Sequence, residues 1–129
     1  MRSPDAPAMP RVLVVDDEIE MAMVIADELG DHGYRSLALG SGSEAIRRLR
    51  AEHFDALVTD LQMPEVDGLA LVHESRALDP SRPVIVMTGY AALQTALEAA
   101  RQGAYHYITK PFSIATLIHL LDASLGRSQ

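Results

Sequence analysis

The chain of 129 residues contains no cysteine, which excludes a disulfide framework, a zinc knuckle and thiol chemistry at once. It also lacks an excess of basic charge. With 11 Lys and Arg against 18 Asp and Glu, the formal charge is -7, which argues against this segment gripping nucleic acid through phosphate contacts. No apolar run approaches the length of a membrane span, and the N-terminus lacks the apolar core of a signal peptide. The expectation is therefore a soluble, cytoplasmic domain with no membrane contact. Residues 1–10 carry three prolines and little apolar content and read as a flexible leader.

What is present is an ordinary globular composition, 48% hydrophobic and 22% charged, in a chain long enough to bury a core without a structural metal. Five strand-length apolar bursts stand out: Val12–Val15, Ser36–Leu39, Ala56–Thr59, Val84–Met87 and Tyr105–Ile108. Between them lie helix-length amphipathic stretches. The first, Glu18 to His32, turns Ala22, Ile25, Ala26 and Leu29 inward and stops at Gly33. The second opens on Ser41–Glu44 as a capping box and buries Ala45, Ile46 and Leu49. The third begins near Asp67 and carries Leu69, Val72 and Leu78. The fourth runs from Ala91 to Gln102 and stops at Gly103. The fifth, Ser113 to Leu125, carries Ile114, Leu117, Leu121 and Leu125, with Gly126 behind it.

Strict alternation of strand and helix predicts a doubly wound α/β fold with a parallel sheet. The first, third and fourth bursts are apolar without a break, as central strands must be. The second and fifth mix in Arg35, Ser36, His106 and Thr109, which suits edges. The predicted order is 2-1-3-4-5, the flavodoxin-like arrangement, over residues 11–125. Residues 126–129 are either a true end or the start of a linker.

Ligands of such sheets sit beyond the carboxyl ends of the strands. There the sequence places Asp16, Asp17 and Glu18 after strand one, Asp60 after strand three, Thr88 after strand four, and Thr109 and Lys110 after strand five. Crowded carboxylates are costly unless a cation joins them. Oxygen-only ligands point to a hard ion, with Mg2+ the best fit. A carboxylate can attack a phosphoryl donor, Lys110 can bind a phosphoryl oxygen as a point charge, and the Thr88 hydroxyl can donate to another.

The combination of Asp16–Asp17, the run Asp60–Gly68 (DLQMPEVDG), Met87–Gly89 and Lys110–Phe112 resembles the response-regulator receiver family of bacterial two-component systems. The resemblance covers about Arg11 to Leu125. It implies that Asp60 is phosphorylated by a cognate histidine kinase. It also implies that Asp17 and Asp60 bind Mg2+ directly, Asp16 acts largely through water, and the Gln62 backbone carbonyl is a further ligand. Thr88 and Lys110 would contact the phosphoryl group, and Tyr107 would be the switch aromatic that follows Thr88. That movement would reshape the surface of the fourth predicted helix, fifth strand and fifth helix to control an output domain or partner. The alanine-rich fourth helix, with little apolar area to anchor it, suits such a shift. Pro64 and Gly68 would shape the loop after Asp60, and the Lys110–Pro111 bond would be cis. Gln62 and Tyr90 stand at positions thought to tune dephosphorylation, and Gly89 leaves access to the site. The stretch from Thr88 to Gly103, with Tyr107–Phe112, further resembles receivers of NtrC-type transcription activators, which continue into ATPase and DNA-binding regions.

Other readings compete. Asp16 and Asp17 taken alone could be helix N-caps, Thr88 a core hydroxyl and Tyr107 an edge-strand core aromatic. A pseudo-receiver that only binds would be expected to lack part of this residue set, and none is missing. A haloacid-dehalogenase-type phosphotransferase needs a second Asp two residues after the nucleophile, where Gln62 stands. A flavin-binding domain needs a phosphate loop where Asp16–Glu18 would repel phosphate. The histidines show no metal-ligand spacing. Ile118 and Leu120 widen the apolar stripe of the last helix, which fits either a homodimer or output surface or extra core burial.

Overall fold

A computed structural model describes residues 9–63, 68–89, 94, 97, 101 and 106–127. Strands β1 (Arg11–Val15), β2 (Arg35–Leu39), β3 (Ala56–Asp60), β4 (Val84–Thr88) and β5 (His106–Thr109) alternate with helices α1 (Ile19–Gly30), α2 (Gly42–Ala51), α3 (Gly68–Leu78) and α4 (Ile114–Ser124). The sheet is parallel throughout, in the order β2-β1-β3-β4-β5. The flavodoxin-like reading is correct. Of the predicted Ala91–Gln102 helix only Gln94, Leu97 and Arg101 are described, all three as helical. Pro64, Asp67, Tyr90, Gly103 and Tyr105 fall outside the described residues, as do residues 1–8 and 128–129.

Burial follows the strand chemistry. Every residue of β3 and β4 is buried, and so is β1 beyond Arg11, while β2 and β5 are largely half-exposed. Leu13, Leu57 and Val86 point to one face and pack with Leu49, Phe54 and Leu71 beneath α2 and α3. Val14, Val58 and Ile85 point to the other and pack with Ile25, Leu29 and Leu117 beneath α1 and α4. Each such side chain contributes about 1.5–3 kcal/mol through removal from water, which is why the sheet needs helices on both faces.

Local signals fix the helix ends. The Ser41 hydroxyl accepts from the Glu44 amide at 3.3 Å and starts α2, as the capping box predicts. Ser113 does the same for α4 through the Thr116 amide. Gly33, at φ +89, lets the chain leave α1 and enter β2. One expectation about a helix face needs correction, and one open alternative is decided. Leu78, read as inward, is 43% exposed at the last turn of α3, where Leu71 and Val72 supply the buried face. On α4, Ile118 is buried and Leu120 packs partly into the core, so the wide stripe is core burial.

Buried polar groups close the rim where the strands begin. Arg82 is buried and donates to the Phe54 carbonyl at 3.0 Å and the Ser75 hydroxyl at 2.8 Å. Burial pulls its pKa below the usual guanidinium range. Tyr34, fully buried, donates its phenol to the carboxylate of Asp122, 88 residues away in the chain. Burial and that hydrogen bond push its pKa up to about 12.

The folded state therefore holds the Tyr34 proton more tightly than the unfolded chain, whose phenol ionises near pH 10. The stability this confers is complete below pH 10 and is lost as the pH rises through about 12. Ultraviolet titration should show one of the four tyrosines ionising last. Tyr34→Phe should abolish that late transition and with it roughly 2–3 kcal/mol of alkaline pH dependence.

Candidate functional site

The parallel order brings the ends of β1 and β3 side by side, with β4 and β5 beyond. Asp60 is the last residue of β3 and is 8% exposed. Asp16 and Asp17 follow β1 directly, Asp16 fully buried and Asp17 exposed. One carboxylate oxygen from each of the three lies within 4.8 Å of the others. Lys110, just past β5, reaches into the same space with its Nζ 3.1 Å from Asp16 Oδ2 and 3.5 Å from Asp60 Oδ2.

The backbone around these groups is held tightly. Asp16 Oδ1 accepts from the Glu18 amide at 3.0 Å, so both of its oxygens are engaged. The Thr59 hydroxyl donates to the Asp60 carbonyl at 2.9 Å. Gly68 opens α3 against the end of β3, and its amide donates to the Leu61 carbonyl at 2.8 Å. A Cβ at Gly68 would sit 2.5 Å from the Asp60 carbonyl oxygen and 2.6 Å from Leu61 Cα. Only glycine permits this approach, which is a firmer reason for Gly68 than loop shape alone.

The electrostatics are those of a site short of positive charge. Burial raises the Asp60 pKa, and the nearby Asp16 charge adds to the rise. Lys110 and the amides of Gln62 and Leu61 oppose it without cancelling it. Burial works against the Lys110 ammonium as well, but the hydrogen bond and charge of Asp16, with the charge of Asp60, outweigh it and raise its pKa. An acid whose folded pKa is raised stabilises the fold at low pH and weakens it as its carboxylate forms. A further cation among the three carboxylates would relieve that cost, and an all-oxygen donor set suits a hard divalent ion.

Thr88 and Tyr107 lie on the neighbouring strands β4 and β5 in different states of burial. Thr88 ends β4, is buried, and turns its hydroxyl to the Gly89 carbonyl at 3.2 Å. The Thr88 carbonyl accepts from the Lys110 amide at 2.7 Å, which ties the β4 end to the lysine. Tyr107 pairs with Val86 across the β4–β5 ladder and is 38% exposed, so it is not a core aromatic. A Cβ on Gly89 would meet nothing within 4 Å, so the approach there is open. Gln62 is exposed, and the Lys110–Pro111 peptide bond is cis.

One feature escaped the sequence reading. Ile19, Met21, Met23 and Val24 of α1 are all more than two-fifths exposed. Met21 and Val24 border a groove of about 490 Å³ whose other wall is Pro111, Phe112 and Ile114. Its only sequence signal was apolar content on α1 beyond what one inward stripe uses.

Comparison with known proteins agrees with this geometry. Residues 12–122 match the family model of the response regulator receiver domain. The transcriptional regulatory protein ZraR of Escherichia coli K12 is 36% identical over 117 residues, 91% of this chain and 26% of ZraR. The DNA-binding transcriptional regulator NtrC of the same organism is 34% identical over 118 residues, 92% of this chain and 25% of NtrC. Among solved structures, a response regulator receiver domain protein from Clostridium thermocellum superposes with a TM-score of 0.86 at 28% identity, covering 91% of this chain and 94% of that one. The receiver domain of NtrX from Brucella abortus gives 0.83 at 32% identity, covering 91% and 99%. The chain belongs to the response regulator receiver family, a family of signalling domains, and its relatives include NtrC-type regulators. It spans about a quarter of the length of the curated relatives it matches. Among the described residues no helix is long and apolar enough to cross a membrane.

The Gly68 contact makes a direct prediction. Gly68→Ala must push α3 away from the end of β3, and chemical denaturation should show a loss of roughly 1–3 kcal/mol. Gly89→Ala, facing open space, should leave the midpoint essentially unchanged.

Proposed function

We propose that Asp60 accepts a phosphoryl group from a histidine kinase and that the resulting change is passed to an output domain or partner to control transcription. The observation that carries the proposal is the Asp60 carboxylate beside Asp16 and Asp17, with the Lys110 ammonium 3.5 Å away. Mg2+, when bound, would neutralise charge on the phosphoryl oxygens. Asp17 and Asp60 would hold it directly, with the Gln62 carbonyl. Asp16, with both oxygens already engaged, suits a role through water.

The remaining steps belong to the chain's own residues. Asp60 attacks phosphorus as the nucleophile, forming an aspartyl phosphate as the bond to the donor nitrogen breaks. Lys110 then holds a phosphoryl oxygen, and Thr88 exchanges its bond to Gly89 for another. Tyr107, starting outside, turns into the space that Thr88 leaves and alters the surface around β5 and α4. The apolar rim of Ile19, Met21 and Val24 borders Asp17 and offers a donor protein its footing beside the site.

Incubation with acetyl phosphate should give a single Mg2+-dependent phosphoryl adduct by intact mass, absent from Asp60→Asn. An adduct that persists in Asp60→Asn would assign the wrong nucleophile. No adduct in the native chain, even with a phosphohistidine protein donor, would favour a module that is read by binding alone. Mg2+ should also raise the thermal midpoint of the native chain and have little effect on Asp17→Asn. Val24→Arg should leave acetyl phosphate labelling intact while slowing transfer from a phosphohistidine protein donor by about tenfold or more.

A further inference from the structure

We propose that Tyr34, Asp122 and Arg127 form a latch that ends α4 and turns the departing chain back over the corner between α1 and β2. The cluster lies on the rim where the strands begin, opposite the carboxylates, since Tyr34 immediately precedes β2.

Asp122 is the anomaly that reveals it. An acid in the last turn of a helix faces the negative end of the helix dipole, and this one is only 9% exposed. A buried carboxylate is costly without partners, and here one partner comes from a distant segment and the other from just past the helix. Tyr34 donates its phenol to Asp122 Oδ1, and Arg127 places Nη1 4.0 Å from the same oxygen. The Arg127 guanidinium also lies 4.5 Å above the centre of the Tyr34 ring and donates to the Gly33 carbonyl at 3.5 Å.

Among the described residues, the two glycines with positive φ both serve this arrangement. Gly126, at φ +71, reverses the chain so that the Arg127 amide returns to the Asp122 carbonyl at 2.8 Å. Gly33, at φ +89, leaves room for the guanidinium, because a Cβ there would stand 2.8 Å from Arg127 Nη2. The fold thus continues past the helix to Arg127, whose guanidinium lies over the Tyr34 ring and whose amide turns back to the Asp122 carbonyl. Arg127 keeps a third of its side chain exposed, whereas Leu117 and Leu121 of the same helix are fully buried. The latch can therefore open while the helix stays docked, and the exit direction of the chain becomes a variable separate from core stability.

Hydrogen exchange on the intact chain tests this. Arg127→Gln should speed exchange of the Leu125, Gly126 and Arg127 amides by about tenfold and leave the amides of β1 and β3 unchanged. Tyr34→Phe, which keeps the ring but drops the phenol, should give a smaller acceleration confined to the same amides. Unchanged exchange at these amides in Arg127→Gln would overturn the latch. Acceleration spread equally over the strands would overturn it too, since the cluster would then be an ordinary part of the core.

Discussion

The structure is organised around a shortage of positive charge at one place, where Asp16, Asp17 and Asp60 meet and, among the described residues, Lys110 is the cation that offsets them. Like charges within a few ångströms of one another oppose folding unless something holds them there. What holds them is the sheet. β1 and β3 are neighbours in a parallel ladder that pairs Val15 with Thr59, so the residues that follow both strands must emerge together. The central strands are buried on both faces, and their apolar burial supplies the stability that the crowded rim consumes. Gly68 adds a second constraint by bringing α3 against the Asp60 carbonyl, so the backbone carrying the carboxylate has little freedom to relax.

Much of this was legible in the sequence because the signals are local or periodic. Unbroken apolar strands announced the centre of the sheet, mixed strands its edges, and Ser41 and Ser113 marked helix starts through short-range hydrogen bonds. The strand-end residues were legible because a parallel sheet sends every strand end to the same rim, so position along the chain implied proximity in space. The failures have a common cause. Leu78 and Val24 are both apolar residues in amphipathic helices, and a period of 3.6 cannot separate a core face from an apolar face left open. For Ile118 the sequence left core burial and an open surface as alternatives, because how much of α4 the core can cover depends on α1 and the sheet together. Nothing local to Tyr34 announces a partner 88 residues later, so the Asp122 bond was out of reach.

The two rims divide the work. At the rim where the strands begin, the large buried polar groups Arg82 and Tyr34 are paired, the first with backbone and hydroxyl oxygens and the second with Asp122. At the rim where the strands end, Asp60 remains poorly compensated and its pKa is raised. A fully paired carboxylate would be a poor nucleophile and a poor cation ligand, so the electrostatic cost there is consistent with the proposed chemistry. Stability is secured where nothing has to react.

The identity of the cation matters to that division. β5 stands three strands from β1, roughly 14 Å at ordinary strand spacing, so only a long side chain leaving its end can reach Asp16. Arginine has the length, but its planar fork favours a bidentate clamp on one carboxylate. Such a clamp would tie Asp16 and Asp60 into a fixed ion pair and obstruct a metal. Lysine presents a compact charge with donors in several directions, and its ammonium sits 3.1 Å from one carboxylate and 3.5 Å from the other. In the proposed mechanism it moves from sharing two carboxylates to holding a phosphoryl oxygen, with no need for a planar group to reorient. Because its amide is bonded to the Thr88 carbonyl at 2.7 Å, the ammonium and the Thr88 hydroxyl are carried on one connected piece of backbone. A group arriving on Asp60 would therefore be met by two groups whose backbones are tied together, and Tyr107 lies on β5, the strand that Lys110 follows.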